Sequence, residues 1–598
     1  MTQYSDLIKD YNGENPFSHS QARHYSDNKI VNEFYPISLY WSFFNEQNEI
    51  LIGTRGSGKT IILKMLTYTC LRNLNSDRSN KIVREKKFIG FYFALYNEMI
   101  KGKIPSELSQ HERYQYFSFI FNCLSLESFF KEIATLLIDI YPNKEERILK
   151  EVELVKTIKK ILFPKKEIYT IEEVINEIEI IYRITQTQSV KSFLDIETSL
   201  KSDIFVPIES IIRYVNILFG LDHQETFWIA CIDEAESIDE EYIKIINTFM
   251  RGPKKPLVIK MATLPFKHTT LETLHKGLNI QSKGNDFNYR IIDLDCDSDD
   301  FYNLTNHLCY KRLFQTGILV PDDLTLESFL GKIGDDDLID YFKLETKMSN
   351  EEIRNKIIEN LSSKRQENIE IKSDINHSIF KKFSPVFFTK YIYQLSREGN
   401  RTPGWFAGAK TTRKISSGNP RIFIQIMHSF VDRAKSHILS TKEQHRVLIS
   451  FAKSFTDGAQ SLPEFGHLLF SILKQIGENL KERVHDKGFR DVGVRFKLDD
   501  KLIMENVVIE SLKLGIQYSY LIIDKNSLMN NVIDSNSEML LSFTYSIPYW
   551  LPMRKGEITN IKGVITGSLN DGYNFDSITY KSKASSSIIL NLFEGDTE

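Results

Sequence analysis

Continuous apolar runs of strand length recur along the first half of the chain and alternate with helix-like segments. Five runs cover residues 49–52, 87–95, 226–232, 256–263 and 290–294. Their apolar residues are consecutive rather than alternating, which indicates strands buried on both faces, as in a parallel sheet. The pattern predicts an α/β core with helices on both faces of the sheet.

Longer helix-like segments lie between these strands and after them. Residues 117–137 are apolar-rich, and residues 144–160 and 171–184 combine charged and aliphatic residues at helical spacing. The last two segments predict bundle helices inserted into the core. Coiled-coil partner helices are the alternative, although the heptads are short. Residues 349–373 predict an exposed charged helix or a flexible arm.

The pattern changes near residue 440 to helices followed by short strands. Helix-like runs over 464–480 and 500–514 flank a polar separator, and strand-like runs follow at 517–523 and 540–546. Helices followed by a short hairpin are typical of a winged helix, which places one helix in the major groove of DNA. Beyond residue 556, alternating apolar residues predict a β-rich tail.

Charge does not decide whether this C-terminal part binds DNA. The candidate phosphate contacts are Lys474, Lys481, Arg483, Lys487 and Arg490. Carboxylates interleave with them at Glu478, Glu482, Asp486 and Asp491. A salt-bridged, protein-facing surface is therefore the alternative, and the net charge of −3 for the whole chain lacks the basic excess of a typical nucleic-acid binder.

Length and composition limit the class of protein. At 598 residues the chain is too long for one core, and 41% apolar with 26% charged residues is ordinary for a globular protein. The five cysteines lack metal-site spacing and predict buried thiols in a reducing compartment. With no signal peptide and no run of eighteen apolar residues, we expect a cytoplasmic protein without a membrane span.

One motif carries specific chemistry, the complete Walker A pattern at residues 53–60 between a strand-like and a helix-like run. Its glycines let backbone N–H groups turn inward around phosphate, and the helix start adds positive potential. Lys59 would reach the β- and γ-phosphates of ATP, and Thr60 would ligate Mg²⁺. The predicted nucleotide contacts are Gly53, Thr54, Arg55, Gly56, Ser57, Gly58, Lys59, Thr60 and Ile61. The alternative is a Gly-rich turn with a solvated lysine.

A second carboxylate-bearing strand completes such a site. Asp233 and Glu234 follow the apolar run 226–232, as a Walker B motif requires. The carboxyl edge of a parallel sheet is where such proteins bind ligands, so Asp233 would hold Mg²⁺ and Glu234 would orient the attacking water. The alternative is a capping box formed by Asp233 and Glu236 at a helix start.

Four segments together resemble the origin-recognition-like (ORC/CDC-type) branch of AAA+ ATPases, and its bacterial members in particular. They are Asn-Pro-Phe at 15–17, Walker A at 53–60, Asp-Glu-Ala-Glu at 233–236 and Gly-Asn-Pro-Arg at 418–421. The resemblance implies that Thr263, at a strand end, is sensor 1 and that Arg421, at a helix start, is sensor 2 on a lid. A plain strand end and a solvated helix-start arginine are the alternatives.

The resemblance also implies an arginine finger that reaches the γ-phosphate of a neighbouring subunit. Arg290 is the candidate, although it lies slightly late for this role. An edge-strand arginine paired with Asp293 or Asp286 is the alternative, and Lys276 or Lys283 are substitutes.

The implied fold is an α/β P-loop NTPase (AAA+-like) core with a helical lid and insertions, followed by a winged-helix-like α+β C-terminal domain. The implied parts are a lead-in at 1–48, the core at 49–298 with a helical insertion near 128–200, the lid at 299–440 with an insertion at 315–378, the winged helix at 441–530 and the tail at 531–598. The lead-in is expected to pack near the adenine of ATP.

Two functions remain open, and both use ATP and Mg²⁺. One is an ATPase that assembles as a homo-oligomer on double-stranded DNA, in a bacterial anti-phage defence system by resemblance. The other is a slowly hydrolysing, nucleotide-gated switch or scaffold that recruits a protein effector, which the large insertions and the neutral charge favour. A signal-transducing NTPase with a sensor C-terminus is a third hypothesis, for which no repeat array is visible.

Overall fold

A computed structural model gives the architecture of most of the chain. It describes residues 13–18, 20–22, 25–96, 104–105, 107–187, 193, 199–222, 225–252, 256–282, 285–315, 322–331, 338–361, 373–398, 404–434, 439–485, 489–498 and 506–561. The last 37 residues of the predicted tail, Lys283 and Lys487 lie outside these ranges.

The described elements follow in chain order. The strands are β1 (Glu49–Ile52), β2 (Phe88–Ala94), β3 (Phe227–Asp233), β4 (Leu257–Thr263), β5 (Asn288–Ile291), β6 (Val492–Leu498), β7 (Leu521–Ile523), β8 (Met539–Leu541) and β9 (Glu557–Ile561). The helices are α1 (Asp27–Glu33), α2 (Lys59–Met65), α3 (Tyr68–Asn73), α4 (Asp77–Glu85), α5 (Gln110–Ile140), α6 (Lys144–Leu162), α7 (Ile171–Thr187), α8 (Val206–Leu218), α9 (Glu240–Arg251), α10 (Asp299–Gln315), α11 (Leu326–Leu330), α12 (Leu338–Thr346), α13 (Asn350–Glu359), α14 (Ser373–Glu398), α15 (Gly408–Ile415), α16 (Pro420–Ala434), α17 (Thr441–Gly458), α18 (Gly466–His485), α19 (Asn506–Gln517), α20 (Lys525–Asn530) and α21 (Ser546–Tyr549).

The five predicted apolar runs form one parallel sheet in the order β2-β3-β4-β1-β5. β1, β2 and β4 are almost wholly buried, because helices cover both faces as the continuous apolar pattern predicts. The predicted α/β core is therefore confirmed. β4 lies between β1 and β3, so the carboxyl ends of these three strands share one edge of the sheet.

The helical insertion is part of the core around the parallel sheet rather than an appendage. α5 packs against β2 and α7, and the following hairpin of α6 and α7 contributes buried Val155, Ile158, Val174 and Ile178 to the same apolar cluster as the sheet. α5 begins earlier than the apolar pattern predicts because Ser109 and Glu112 form a capping box there.

The lid helices and the C-terminal sheet share one continuous apolar core. Buried residues from Phe301 on α10 to Ile561 on β9 belong to one cluster, which also includes Phe17 of the lead-in. The C-terminal sheet has the order β7-β8-β6-β9, in which β8 is antiparallel to both neighbours and β9 is parallel to β6. The C-terminal part is therefore packed firmly on the lid.

Several boundaries differ from the sequence prediction, three of them in the C-terminal part. α18 continues through the predicted separator to His485, because Leu480 and Val484 extend its buried face. The predicted strand at 517–523 starts only at Leu521, since residue 517 ends α19 and Ser519 adopts a left-handed backbone with φ of 65°. The predicted strand at 540–546 ends at Leu541, where the Ser542 hydroxyl accepts a hydrogen bond from the Thr544 N–H and starts a turn.

The described part of the chain contains no helix that is both long and apolar enough to cross a membrane. All five cysteines are buried free thiols, as their scattered spacing predicts.

A buried ion-pair group lies at the amino edge of the parallel sheet. Glu49 begins β1 and is fully buried; its carboxylate accepts hydrogen bonds from Lys260 Nζ at 2.8 Å and Arg290 Nε at 2.7 Å. Burial lowers the pKa of Lys260 to about 8, and the Glu49 charge opposes that shift. The lysine ammonium therefore depends on this carboxylate to remain charged inside the core.

We predict that Glu49→Gln destabilises the protein by about 3–5 kcal/mol, because it leaves the Lys260 charge buried without an anion. Urea unfolding of the variant measures this loss. The control is Glu85→Gln, which removes a carboxylate 4.0 Å from Lys81 on the surface and should change stability by less than about 0.5 kcal/mol. A Glu49→Gln loss as small as that of the control would contradict the prediction.

Candidate nucleotide-binding site

The loop between β1 and α2 has a backbone that only glycine allows at two positions. Gly56 and Gly58 have φ of 84° and 95°, in the left-handed region. A Cβ added at Gly53 would lie 2.5 Å from Ser57 Oγ, so the Ser57 side chain packs against the start of the loop. Residues 53–58 thus curl into a concave loop that ends at the amino end of α2, the geometry of an anion cradle.

Lys59 lies inside this loop rather than in solvent. Its ammonium donates to Gly53 O at 2.6 Å and Thr54 O at 3.0 Å, and the side chain is buried. Burial lowers the pKa of Lys59, and the carboxylates of Glu236, Asp233 and Glu234 oppose the shift. The solvated-lysine alternative is therefore wrong.

Thr60 and Asp233 meet where α2 starts and β3 ends. Thr60 Oγ1 donates to Asp233 Oδ2 at 2.7 Å, and the Tyr92 hydroxyl donates to the same oxygen at 3.0 Å. Asp233 Oδ1 accepts from the Glu234 N–H at 2.9 Å. A hydroxyl and a carboxylate in contact are the hard oxygen donors that Mg²⁺ prefers. The pair therefore fits a magnesium ion held between the Walker A and Walker B segments.

Asp233 does not form the capping box that was the alternative interpretation of this segment. The Asp233 carboxylate bonds to the neighbouring Glu234 N–H instead of the Glu236 N–H that a box requires, and α9 starts only after Asp239. The intervening residues form a 3₁₀ turn, Ala235–Ser237, after Glu234 with its left-handed φ of 58°. The carboxylates of Asp233, Glu234 and Glu236 all raise the pKa of Lys59, so this segment acts electrostatically on the loop.

Glu236 is a site residue that the sequence analysis considered only as a capping partner. Its Oε2 is buried without a hydrogen-bond partner in the described structure. Burial raises the pKa of this carboxyl to about 7, against the opposing effect of Lys59. The signal in the sequence was the second glutamate of the 233–236 segment, and only the tertiary structure places it near the lysine.

Thr263 ends β4 directly beside the loop. It is the register partner of Ile52, and its carbonyl accepts from the Gly53 N–H at 3.3 Å. The hydroxyls of Thr263 and Ser57 are both buried and make no hydrogen bond in the described structure. Because buried polar atoms normally have partners, two such hydroxyls flanking a phosphate-type loop fit a missing polar ligand. The sensor 1 role of Thr263 stays a prediction.

Arg421 lies against the loop from the lid side. α16 starts at Pro420, and the Asn419 side chain caps it by accepting from the Arg421 N–H at 2.9 Å. A Cβ on Gly56 would lie 2.5 Å from Arg421 Cβ and 2.8 Å from Asn419 Oδ1. The lid arginine and the Walker A loop are thus in direct contact, although the sensor 2 role itself stays a prediction.

Arg290 lies away from this edge of the sheet. Its guanidinium pairs with Glu49 at the amino edge, not with Asp293 or Asp286 as the alternative proposed. The arginine-finger role stays a prediction, and so does a role for Lys276, which is exposed on the loop before β5. Lys283 lies outside the described residues.

The lead-in connects the lid to the core beside the loop. Asn15 Nδ2 donates to Asp432 Oδ1 on α16 at 2.7 Å, and the buried Arg312 of α10 pairs with Glu33 of α1 at 2.9 Å. Lys64 on α2 approaches Ala22 O at 3.5 Å. The described residues between 15 and 33 therefore contact both α16 and α10 of the lid and α2 of the core, and an adenine contact by the lead-in stays a prediction.

Two of the predicted DNA-contacting cations have other partners. Lys481 lies over the Tyr393 ring at 5.1 Å from its centroid, and Arg483 donates to Asn479 Oδ1 at 2.9 Å and Asn560 O at 3.2 Å. The Lys481 contact joins α18 to α14 of the lid, and the Arg483 contacts lie within the C-terminal part. A DNA-binding role for this surface stays a prediction.

A comparison with protein families agrees with this geometry. The profile of the ORC-CDC6-like family matches residues 15–561. The match covers the lead-in, the sheet, the lid and the C-terminal sheet together. No curated protein matches the chain.

We predict that Gly56→Ala destabilises the protein more than Gly58→Ala. Both substitutions place alanine in the left-handed region, which costs about 1–2 kcal/mol. At Gly58 no atom lies within 4 Å of the added Cβ, whereas at Gly56 the Cβ would overlap Arg421 and Asn419. Urea unfolding should therefore show about 1–3 kcal/mol of additional loss for Gly56→Ala. Equal losses would mean that the lid does not contact the loop in solution.

Proposed function

Because this chain belongs to the ORC-CDC6-like family, we propose that it is an AAA+ ATPase that binds and hydrolyses ATP with Mg²⁺ at the loop of residues 53–60. The observation that carries the proposal is the 2.7 Å contact of Thr60 with Asp233 beside the buried Lys59. Asp233 lies far from Lys59 and Thr60 in the sequence. Together the three residues provide a cation for phosphate and oxygen donors for the metal.

In this mechanism the side chains position the nucleotide and neutralise the charge of its phosphates. Lys59 exchanges its two carbonyl partners for β- and γ-phosphate oxygens, and Arg421 neutralises the γ-phosphate from the lid. Thr60 and Asp233 are the residues that would hold Mg²⁺. A bound Mg²⁺ would supply positive charge that offsets the charge developing on the phosphates.

Glu234 is the proposed residue that orients the attacking water, and Thr263 positions the γ-phosphate beside it. Glu236 contributes to this arrangement, because burial raises the pKa of its carboxyl and the carboxyl interacts electrostatically with Lys59.

For the larger role, we propose nucleotide-gated assembly, with double-stranded DNA as the ligand of the C-terminal domain. The arrangement of α19 between β6 and the antiparallel pair of β7 and β8 supports a winged-helix-like domain. The second candidate is the slowly hydrolysing scaffold that recruits a protein effector. The engagement of Lys481 by Tyr393 of the lid and of Arg483 by the Asn560 carbonyl favours this candidate. A role in bacterial anti-phage defence is proposed by family resemblance alone.

We predict that Lys59→Ala abolishes nucleotide binding, because the loop loses its buried cation. Titration with a fluorescent ATP analogue should show an affinity at least 100-fold weaker, equivalent to about 3 kcal/mol. The control is Lys81→Ala, a surface cation on α4, which should bind like the wild type. Unchanged affinity in Lys59→Ala would reject the loop as the nucleotide site.

We predict that Glu234→Gln keeps ATP binding but lowers turnover by about 10²–10⁴, the usual contribution of a residue that handles the water proton. The variant should accumulate an ATP-loaded oligomer, measured by light scattering. Normal turnover in this variant would remove Glu234 from the mechanism.

The same turnover assay, with and without double-stranded DNA, separates the two larger roles. DNA-stimulated turnover with an ATP-dependent oligomer supports assembly on DNA. Slow turnover that ignores DNA supports the effector-recruiting scaffold.

A further inference from the structure

The turn that ends α19 lies directly on the Walker A loop. This turn, residues 517–519, belongs to the C-terminal domain, yet its Gln517 carbonyl accepts from the Arg55 N–H at 2.8 Å. The carbonyl of the same Arg55 accepts from Asn419 Nδ2 on the lid at 2.8 Å. Both backbone polar groups of Arg55 are therefore held from outside the ATPase core, one by each of the other two domains.

A hydroxyl relay continues this contact. Ser519 Oγ accepts from Asn419 Nδ2 at 2.9 Å and donates to Thr54 Oγ1 at 2.8 Å. Ser519 is 5% exposed and Asn419 is 4% exposed, so water does not compete for these hydrogen bonds. The relay connects lid, C-terminal domain and loop through three side chains.

Two further contacts come from the same turn. The Arg55 guanidinium lies over the Tyr518 ring, 4.9 Å from its centroid, and Gln517 Nε2 donates to Pro265 O at 2.9 Å. Pro265 follows Thr263 by two residues. The turn thus fixes both the loop and the segment after the predicted sensor 1 residue.

These contacts lie at one end of the loop. They involve Thr54 and Arg55, in its first half, whereas no described atom lies within 4 Å of a Cβ added at Gly58 in its second half. The contacts of the turn named above are therefore made to the first half of the loop.

We propose that Gln517, Tyr518 and Ser519 are positioning residues of the nucleotide site, so that docking of the C-terminal domain and binding of ATP favour each other. The inference rests on the proposed function, since it requires ATP at this loop. A loop already held in its binding conformation loses less conformational freedom when nucleotide arrives.

Reciprocity follows from thermodynamic linkage. If docking of the turn strengthens ATP binding, ATP strengthens docking by the same factor. A DNA or protein ligand that draws the C-terminal domain away from the loop would then weaken ATP binding. A ligand that stabilises the docked domain would strengthen it. A ligand of the C-terminal domain would thus control the nucleotide state by changing how that domain docks on the loop.

The test variant is Ser519→Gly in the full-length protein. Glycine adopts the left-handed backbone of this position without strain, so the variant removes the hydroxyl relay while it spares the fold. Ser519→Asn is the rescue variant, because asparagine tolerates this conformation and offers an amide donor to Thr54. The control is Ser511→Ala, whose hydroxyl bonds to Val507 O within α19.

We expect Ser519→Gly to bind the fluorescent ATP analogue about threefold to tenfold more weakly than the wild type, from the usual net value of one or two hydrogen bonds. Ser519→Asn should regain part of the affinity, and Ser511→Ala should match the wild type. The thermal midpoint without nucleotide should be similar in wild type and Ser519→Gly. In the wild type, ATP should slow hydrogen exchange of the peptide covering residues 515–523, and less so in Ser519→Gly.

Two results overturn the inference while leaving the proposed function in place. One is wild-type ATP affinity in both Ser519→Gly and Tyr518→Ala. The other is hydrogen exchange at 515–523 that is indifferent to ATP in a wild type that binds it. If the wild type itself fails to bind ATP, the proposed function fails, and the inference fails with it for that separate reason.

Discussion

The parallel register of β1, β4 and β3 is the constraint on which the rest of the site depends. It brings the carboxyl ends of three strands to one edge, so that residues from positions 53, 233 and 263 become neighbours. The 2.7 Å contact between Thr60 and Asp233 exists only because α2 starts where β1 ends and because β4 separates β1 from β3 by one strand width. Changing the order of these strands would separate Asp233 from Thr60 and the loop.

Charge is arranged differently at the two edges of this sheet. At the amino edge, Glu49 is satisfied by Lys260 and Arg290, and this closed group has a structural role. At the carboxyl edge, the hydrogen bonds that the structure describes for Lys59 go to carbonyls, and Glu236, Ser57 and Thr263 have buried polar atoms without a partner among the described residues. An edge with unsatisfied polar groups is suited to bind a polar ligand, whereas a satisfied one is not.

The lid and the C-terminal domain act on this edge as one body, since a single apolar core runs through both. Asn419 connects them to the loop: it caps α16, holds the Arg55 carbonyl and donates to Ser519. A rearrangement of either domain would therefore change the backbone at Arg55. This is a physical route by which a ligand of the C-terminal domain could influence nucleotide binding without touching it.

The sequence by itself determined the strands of the sheet, the loop and the carboxylates after β3, because these depend on local patterns: consecutive apolar residues in buried strands, glycines at left-handed positions and carboxylates at a strand end. It also indicated the family. Only the tertiary structure decided which groups meet across large sequence separations. Arg290 pairs with Glu49, Glu236 lies near Lys59, and residue 517 ends a helix on the Walker A loop instead of starting a strand. A serine or glutamine in a short turn carries no periodic signal, and its hydrogen bonds to residues more than 400 positions away arise from how the domains pack.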